Sequence, residues 1–316
     1  MNSAMLSGRM KLLFVTDIHG SEVCFRKFFS AIREYRADVA LLVGDLSGKV
    51  TVPIQQKDET YTCSLMGEEL VAKNTAELAE IEKRIANIGY YSYVGSQPEI
   101  DGLQKNPEKG DEIFQKLITD RLSRWMKLAD EKLRESAAKV YIGVGNDDPF
   151  IIDSVLDRSE RMTSLTERVV DIGGYEVVTT AFSNPTPWNT PRECSEEELR
   201  SKINQLASKV KRMETAIFNF HVPPYGSLLD VAPELKDMEP QAGSASNVGS
   251  TAVAELISKY QPLLGLHGHI HESKAAQKIG RTLCVNPGSE YSEGILRGVL
   301  LNLENGRIGN YIFTSG

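Results

Sequence analysis

Five short, nearly continuous apolar runs constrain this chain most: residues 11–15 (KLLFV), 39–43 (VALLV), 140–144 (VYIGV), 216–220 (AIFNF) and 263–266 (LLGL). Runs without polar alternation are buried on both faces, as in a parallel sheet covered by helices. Each run stops at polar residues: Thr16-Asp17-Ile18-His19, Gly44-Asp45, Gly145-Asn146, His221, and His267 ahead of His269 and His271. Between the first two runs, residues 21–36 form an amphipathic segment opened by Ser21, so strand, loop and helix follow in order.

After residue 272 the pattern changes to short runs with turn residues. Residues 300–313 around Asn305-Gly306 read as a hairpin, and residues 168–172 and 176–180 around Gly173-Gly174 as a second. The fold class is therefore α/β, a mixed sheet or two packed sheets with helices outside. The segment at 49–138 is far longer than a βα connection needs. It reads as a mainly helical, cap-like insertion within one domain over residues 1–316. In it Leu78, Ile81, Ile85 and Ile88 recur at helical spacing, as do Phe114, Leu117, Leu122 and Trp125. Residues 89–95 between them form a short strand or an aromatic loop, and residues 242–250 (AGSASNVGS) read as a small-residue loop before a helix at 250–260.

Composition removes several classes of function. With 41% hydrophobic and 25% charged residues the chain is globular, and disorder, collagen and coiled coil are excluded. Lys plus Arg 36 against Asp plus Glu 43 gives a net charge of −7, which disfavours a generic nucleic-acid groove and requires any anionic substrate to be attracted locally. Cys24, Cys63, Cys194 and Cys284 form no CxxC pair, so neither a disulfide framework nor a thiolate zinc site is expected, and a reducing cytoplasm fits. The polar N-terminal stretch MNSAMLSGRM and the lack of any 18-residue apolar segment give no support for secretion or a membrane partner.

In open α/β sheets ligands bind beyond the carboxyl ends of the strands. Asp17, His19, Asp45, Asn146, His221, His269 and His271 should therefore meet in one crevice. All are oxygen or imidazole ligands, suited to Mn²⁺, Fe, Zn²⁺ or Mg²⁺. Seven side chains exceed one tetrahedral ion and suit a two-metal centre, in which cations about 3.5–4 Å apart stabilise both attacking and leaving oxygens of a phosphoryl group. The i, i+2 spacing of Asp17-x-His19 and His269-x-His271 lets each pair serve one cluster. Taken singly, an Asp after a strand is ordinarily a helix cap and an Asn before Asp-Asp a turn residue. Neither role predicts five consecutive strand ends built from metal-ligand types.

In their order, Asp17-x-His19, Gly44-Asp45, Gly145-Asn146, His221 and Gly268-His269-x-His271 resemble the calcineurin-like metallophosphoesterases, over about residues 10–290 apart from the insertion. Asn286-Pro287-Gly288-Ser289 and residues 266–273 (LHGHIHES) resemble that family's bacterial and archaeal predicted phosphoesterase branch. The resemblance implies a β-sandwich of two mixed sheets flanked by helices. It gives one metal Asp17, His19 and His271, gives the other Asn146, His221 and His269, and makes Asp45 the bridge. Asp45 and Asn146 are the residues expected to act in catalysis as well as in metal binding. The cofactors expected are two divalent ions, Mn²⁺ first, with Fe, Zn²⁺, Mg²⁺ or Ni²⁺ as alternatives. The reaction is phosphoester hydrolysis by a hydroxide formed on the metals, with a phosphorylated small molecule or a phosphodiester as substrate. The alternative is the same fold acting as a non-catalytic binding or regulatory module.

One departure matters. The family has Gly-Asn-His, whose histidine protonates the leaving oxygen, whereas this chain has Gly145-Asn146-Asp147-Asp148. Lost general-acid help costs typically 10²–10⁴-fold with a poor leaving group, so a diester with a better leaving group is favoured. Asp147 replaces the histidine only if burial or Asp148 raises its pKa, and is otherwise a carboxylate at the margin of the site. His267, in phase with His269 and His271, either orients a ligand, meets the substrate or is structural. Trp188 and Tyr225 either shape the pocket or cap the packing.

Overall fold

The computed structural model describes residues 8–236 and 239–316, so the first seven residues of the polar N-terminal stretch lie outside it. Along the first strand, Arg9–Val15, side chains alternate between two buried environments. Leu12 and Phe14 enter one core and Leu13 and Val15 another. That double burial is why the run carries no polar alternation.

Two six-stranded mixed sheets result. The first runs, in spatial order, Arg307–Ser315, Arg297–Glu304, Arg9–Val15, Val39–Leu42, Lys139–Ile142 and Met162–Ser164, with its last four strands parallel. The second runs Ala275–Ile279, Thr282–Asn286, Leu264–Leu266, Ile217–Phe220, Tyr175–Thr180 and Val169–Ile172, with its inner four parallel and both edges antiparallel. Leu12, Phe14, Val39 and Leu41 of one sheet pack against Val177, Ile217, Leu264 and Val285 of the other. Helices Glu22–Tyr35 and Pro107–Lys132 cover the first sheet, where Phe25 stacks on Trp125 with centroids 4.1 Å apart. Helices Glu196–Ala207 and Thr251–Tyr260 cover the second. The expected sandwich is the observed one, and no helix among the described residues is long and apolar enough to cross a membrane.

Both hairpins form. Asn305 and Gly306 take φ of 50° and 77°, the left-handed pair that a tight turn matching strand twist requires. One loop reading is corrected: most of residues 242–250 lie in a strand, Glu239–Asn247, paired antiparallel with Val231–Lys236. Small polar residues carry little hydrophobic signal, and pairing between backbones supplies the order instead. The following helix begins at Thr251, with the Ser250 side chain accepting from the Val253 N–H.

Residues 49–138 contain helices Thr75–Asn87, Gln97–Lys105 and Pro107–Lys132 together with a four-stranded sheet of Glu68–Ala72, Thr60–Leu65, Thr51–Lys57 and Tyr91–Gly95. Residues 89–95 thus carry a strand. The sheet and helix Thr75–Asn87 share a small core of their own around Val52, Ile54, Tyr61, Ile81 and Ile85. Helix Pro107–Lys132 instead sends Ile118, Leu122, Trp125 and Met126 into the core beneath the first sheet. Parallel strands deliver their carboxyl ends to one edge of the sandwich, and the site lies there.

Candidate metal centre

Three of the seven expected ligands sit in a backbone region that side chains ordinarily avoid: Asp17 at φ 53°, His19 at φ 37° and His269 at φ 67°. Such residues cost of order 1–3 kcal/mol each and persist only where neighbours over-determine them. Asp17 shows how. Its carboxylate accepts from Thr16 Oγ1 at 2.9 Å, from the Asp45 N–H at 3.2 Å and from the His269 N–H at 2.9 Å. One side chain thereby ties together strand ends from both sheets. Gly44 allows the approach, because a Cβ there would lie 2.1 Å from Thr16 Oγ1 and 3.1 Å from His221 Nδ1.

The side chains gather in three overlapping sets: Asp17 with His19 and His271, Asp45 with His221 and His269, and His19 with Asp45 and Asp147. Within each set the potential ligand atoms lie within 4.8 Å of one another. The Asp45 carboxylate stands between the first two sets, with Oδ2 3.7 Å from His19 Nε2 and Oδ1 3.5 Å from His221 Nε2. His19 Nε2 and His271 Nε2 face each other at 2.9 Å. Asn146 donates from Nδ2 to Thr190 Oγ1 at 2.8 Å, while its buried Oδ1 and the buried His221 Nε2 have no hydrogen-bond partner. Buried polar atoms without partners are rare in proteins, and a buried amide oxygen left so, like Asn146 Oδ1, fits a cation ligand. The donor set is hard to borderline in character and suits divalent ions of the Mn²⁺, Fe, Zn²⁺ or Mg²⁺ type.

Electrostatics follow from burial and mutual charge. Burial works against an ionised Asp45, yet the adjacent His221 imidazole holds its carboxyl well below the ordinary range. Burial likewise opposes a charged His221, and Asp45 with Asp17 pushes it up to about 9. His269, buried and next to His221, is held down to about 3, and burial lowers His19. Neutral imidazoles are the form that ligates metal.

The three residues left open by sequence are placed differently from one another. Asp148 is fully buried and accepts from the N–H groups of Leu46, Ser47 and Gly145 and from Ser47 Oγ, at 2.6–3.0 Å. It clamps the Asp45 loop to the Asn146 loop. Asp147 donates its N–H to Asp45 Oδ1 at 2.9 Å and pairs its carboxylate with Lys49. Burial and the charge of Asp45 push its carboxyl up to about 8, against the pull of Lys49. His267 lies behind the cluster, its Nδ1 bonded to the carbonyls of Phe220 at 2.8 Å and Val222 at 3.2 Å on either side of His221. It braces the backbone that carries His221, and burial holds it down to about 4.

Sequence reasoning missed Lys49 and Tyr291. Tyr291 packs its ring 4.6 Å from that of His19 and 5.9 Å from that of His271. Neither closes an apolar run, so the strand-end signal could not find them. Lys49 and Asp147 also line a cleft of about 390 Å³ whose other walls include Phe114, Ile118, Trp188 and Thr190. Tyr225 is 52% exposed and does not line that cleft.

No family model matches the chain. It is 33% identical over 126 residues to an uncharacterized protein of Methanocaldococcus jannaschii, a match covering 39% of this chain and 53% of that one. The chain thus spans about half the length of the curated relative it matches. One solved structure superposes at a TM-score of 0.57 with 18% identity, covering 98% of this chain and 99% of the other. The crystal structure of TT1561 from Thermus thermophilus follows at 0.56 with 16% identity and the same coverage. These likenesses show a shared fold. In the order of its strand-end residues the chain resembles the calcineurin-like metallophosphoesterases.

Proposed function

We propose that the chain is a metal-dependent phosphoric ester hydrolase with a preference for phosphodiesters. The observation that carries the proposal is the meeting of two ligand sets across Asp45, assembled from the ends of both sheets. Asp17, His19 and His271 would hold one divalent ion and Asn146, His221 and His269 the other, with Asp45 shared and Mn²⁺ the first choice. Such ions supply Lewis-acid charge and make water nucleophilic near neutral pH. The chain's own part is to hold the imidazoles in place, to fix Asp45 through the Asp147 N–H, and to steer the ester into the cleft beside Lys49. Local cationic charge of this kind reconciles an anionic substrate with a chain of net charge −7. A phosphorylated small molecule or a phosphodiester is the expected partner, and a reducing cytoplasm the setting, supported by four free cysteines among the described residues.

The test uses metal-stripped protein with Mn²⁺, Mg²⁺, Zn²⁺ or Ni²⁺ restored, assayed on bis(p-nitrophenyl) phosphate and p-nitrophenyl phosphate beside Asp45→Asn. Metal-dependent turnover that disappears in Asp45→Asn is the expected result. No turnover with any metal in folded protein would leave a binding module as the better account.

A further inference from the structure

We propose that Lys49 contacts the leaving oxygen of the phosphoester and takes over, by charge and hydrogen bonding, the part of the histidine replaced at Asp147. The inference rests on the hydrolase reading above and deepens it.

Three observations carry it. Lys49 Nζ pairs with Asp147 Oδ2, and Asp147 directly follows Asn146, where the resembling family has its histidine. The loop bearing Lys49 is fixed from both sides: Asp148 accepts from the Leu46 and Ser47 N–H groups, and Tyr91 Oη accepts from the Gly48 N–H at 3.0 Å. The backbone anchor of Lys49 is therefore fixed, the pairing with Asp147 holds its ammonium, and its charge acts on Asp45, His19, His269 and Tyr291. Finally, Lys49 is the one cation among the described residues lining the cleft that begins at Asp147 and passes Phe114 and Trp188. An alcohol group seated in that cleft would have Lys49 on its wall, next to Asp147.

In the step, the bond from phosphorus to the alcohol oxygen breaks while a water oxygen bonds to phosphorus. The water releases one proton to solvent. Negative charge gathers on the departing oxygen, the ammonium donates a hydrogen bond to it, and the alkoxide takes one proton from solvent. Charge-assisted bonds of this kind strengthen as charge develops, which is what accelerates a reaction. The help matters most for leaving groups that bear charge poorly.

The experiment compares wild type, Lys49→Ala and Lys49→Arg, loaded with metal, on methyl p-nitrophenyl phosphate and methyl phenyl phosphate. Binding of inorganic phosphate is measured in parallel by calorimetry. The Lys49 side chain is 51% exposed, so both variants should fold. Lys49→Ala should lose about 10²–10³-fold in kcat on the phenyl ester, by analogy with removal of one transition-state donor. It should lose less than about tenfold on the activated ester, and Lys49→Arg should recover part of the difference. Phosphate affinity should fall about tenfold in Lys49→Ala, as expected when a charged contact is removed. Equal losses on both esters, or no loss, would overturn the proposal. If wild type turns over neither ester, the hydrolase reading fails and the leaving-oxygen contact falls with it; a drop in phosphate affinity in Lys49→Ala then assigns Lys49 to anion binding alone.

Discussion

The strand-end loops and the inserted segment obey different rules. In the insertion each helix starts as local physics prefers: Asn74 caps Thr75–Asn87, a Ser96–Glu99 capping box opens Gln97–Lys105, and Asn106 caps Pro107–Lys132. Its core is a small apolar cluster. At the strand ends, Asp17, His19 and His269 adopt left-handed backbone, carboxylates are buried, and imidazole and amide atoms lack partners. Local consistency marks a region that is there to be stable, and its violation marks one held in place for chemistry. The two meet at a glycine. A Cβ on Gly89 would sit 2.1 Å from the His19 carbonyl oxygen, and the buried Arg121 of the insertion bonds the carbonyls of Gly20 at 2.8 Å and Tyr90 at 2.6 Å.

The contrast breaks most sharply at Asp45. Asp45→Asn should cost on the order of 10³-fold or more in turnover, since metal ions supply several kcal/mol of charge stabilisation. Metal stoichiometry measured on the same protein should drop below two ions per chain. In the conventional region Ile85→Ala should destabilise by about 2–5 kcal/mol, as a fully buried side chain leaving a cavity does. Denaturant unfolding checks this, and metal stoichiometry in the native protein should stay unchanged; a lost metal site would show that the regions are not separate.

His267 sharpens the comparison through pH. Its folded pKa of about 4 lies below the ordinary 6.5, so its contribution to stability is present above pH 6.5 and is lost as pH falls toward 4. The loss amounts to about 3 kcal/mol at one pKa unit per 1.4 kcal/mol. Metal-free protein should show this slope in thermal unfolding together with those of His19 and His269, and His267→Gln should make the total shallower. A profile identical in both proteins would remove His267 from the account. The smallest expected effect is at the junction: Gly89→Ala must push His19 aside, and should weaken metal binding about 10–100-fold, the range seen when groups supporting metal ligands are lost. Unaltered affinity by competition titration would mean that the insertion does not brace the site.

The seven strand-end residues were legible because a strand buried on both faces can be polar only where it ends, and those ends face one edge. The apolar runs fixed the sandwich by the same logic, as did the Asn305-Gly306 turn. The strands at 51–72 alternate through Val52 and Ile54, and through Tyr61, Cys63 and Leu65, a pattern too short to stand out beside the stronger helical periodicity. Sequence alone determined which residue types end the strands, and so the chemistry open to the site. Only the tertiary structure decided that Asp148 would be a buried clamp and Asp147 the partner of Lys49, that His267 would brace a backbone, and that helix Pro107–Lys132 would join the main core. Those outcomes depend on which groups lie within hydrogen-bonding distance across a hundred residues of chain, and neither composition nor periodicity carries that distance.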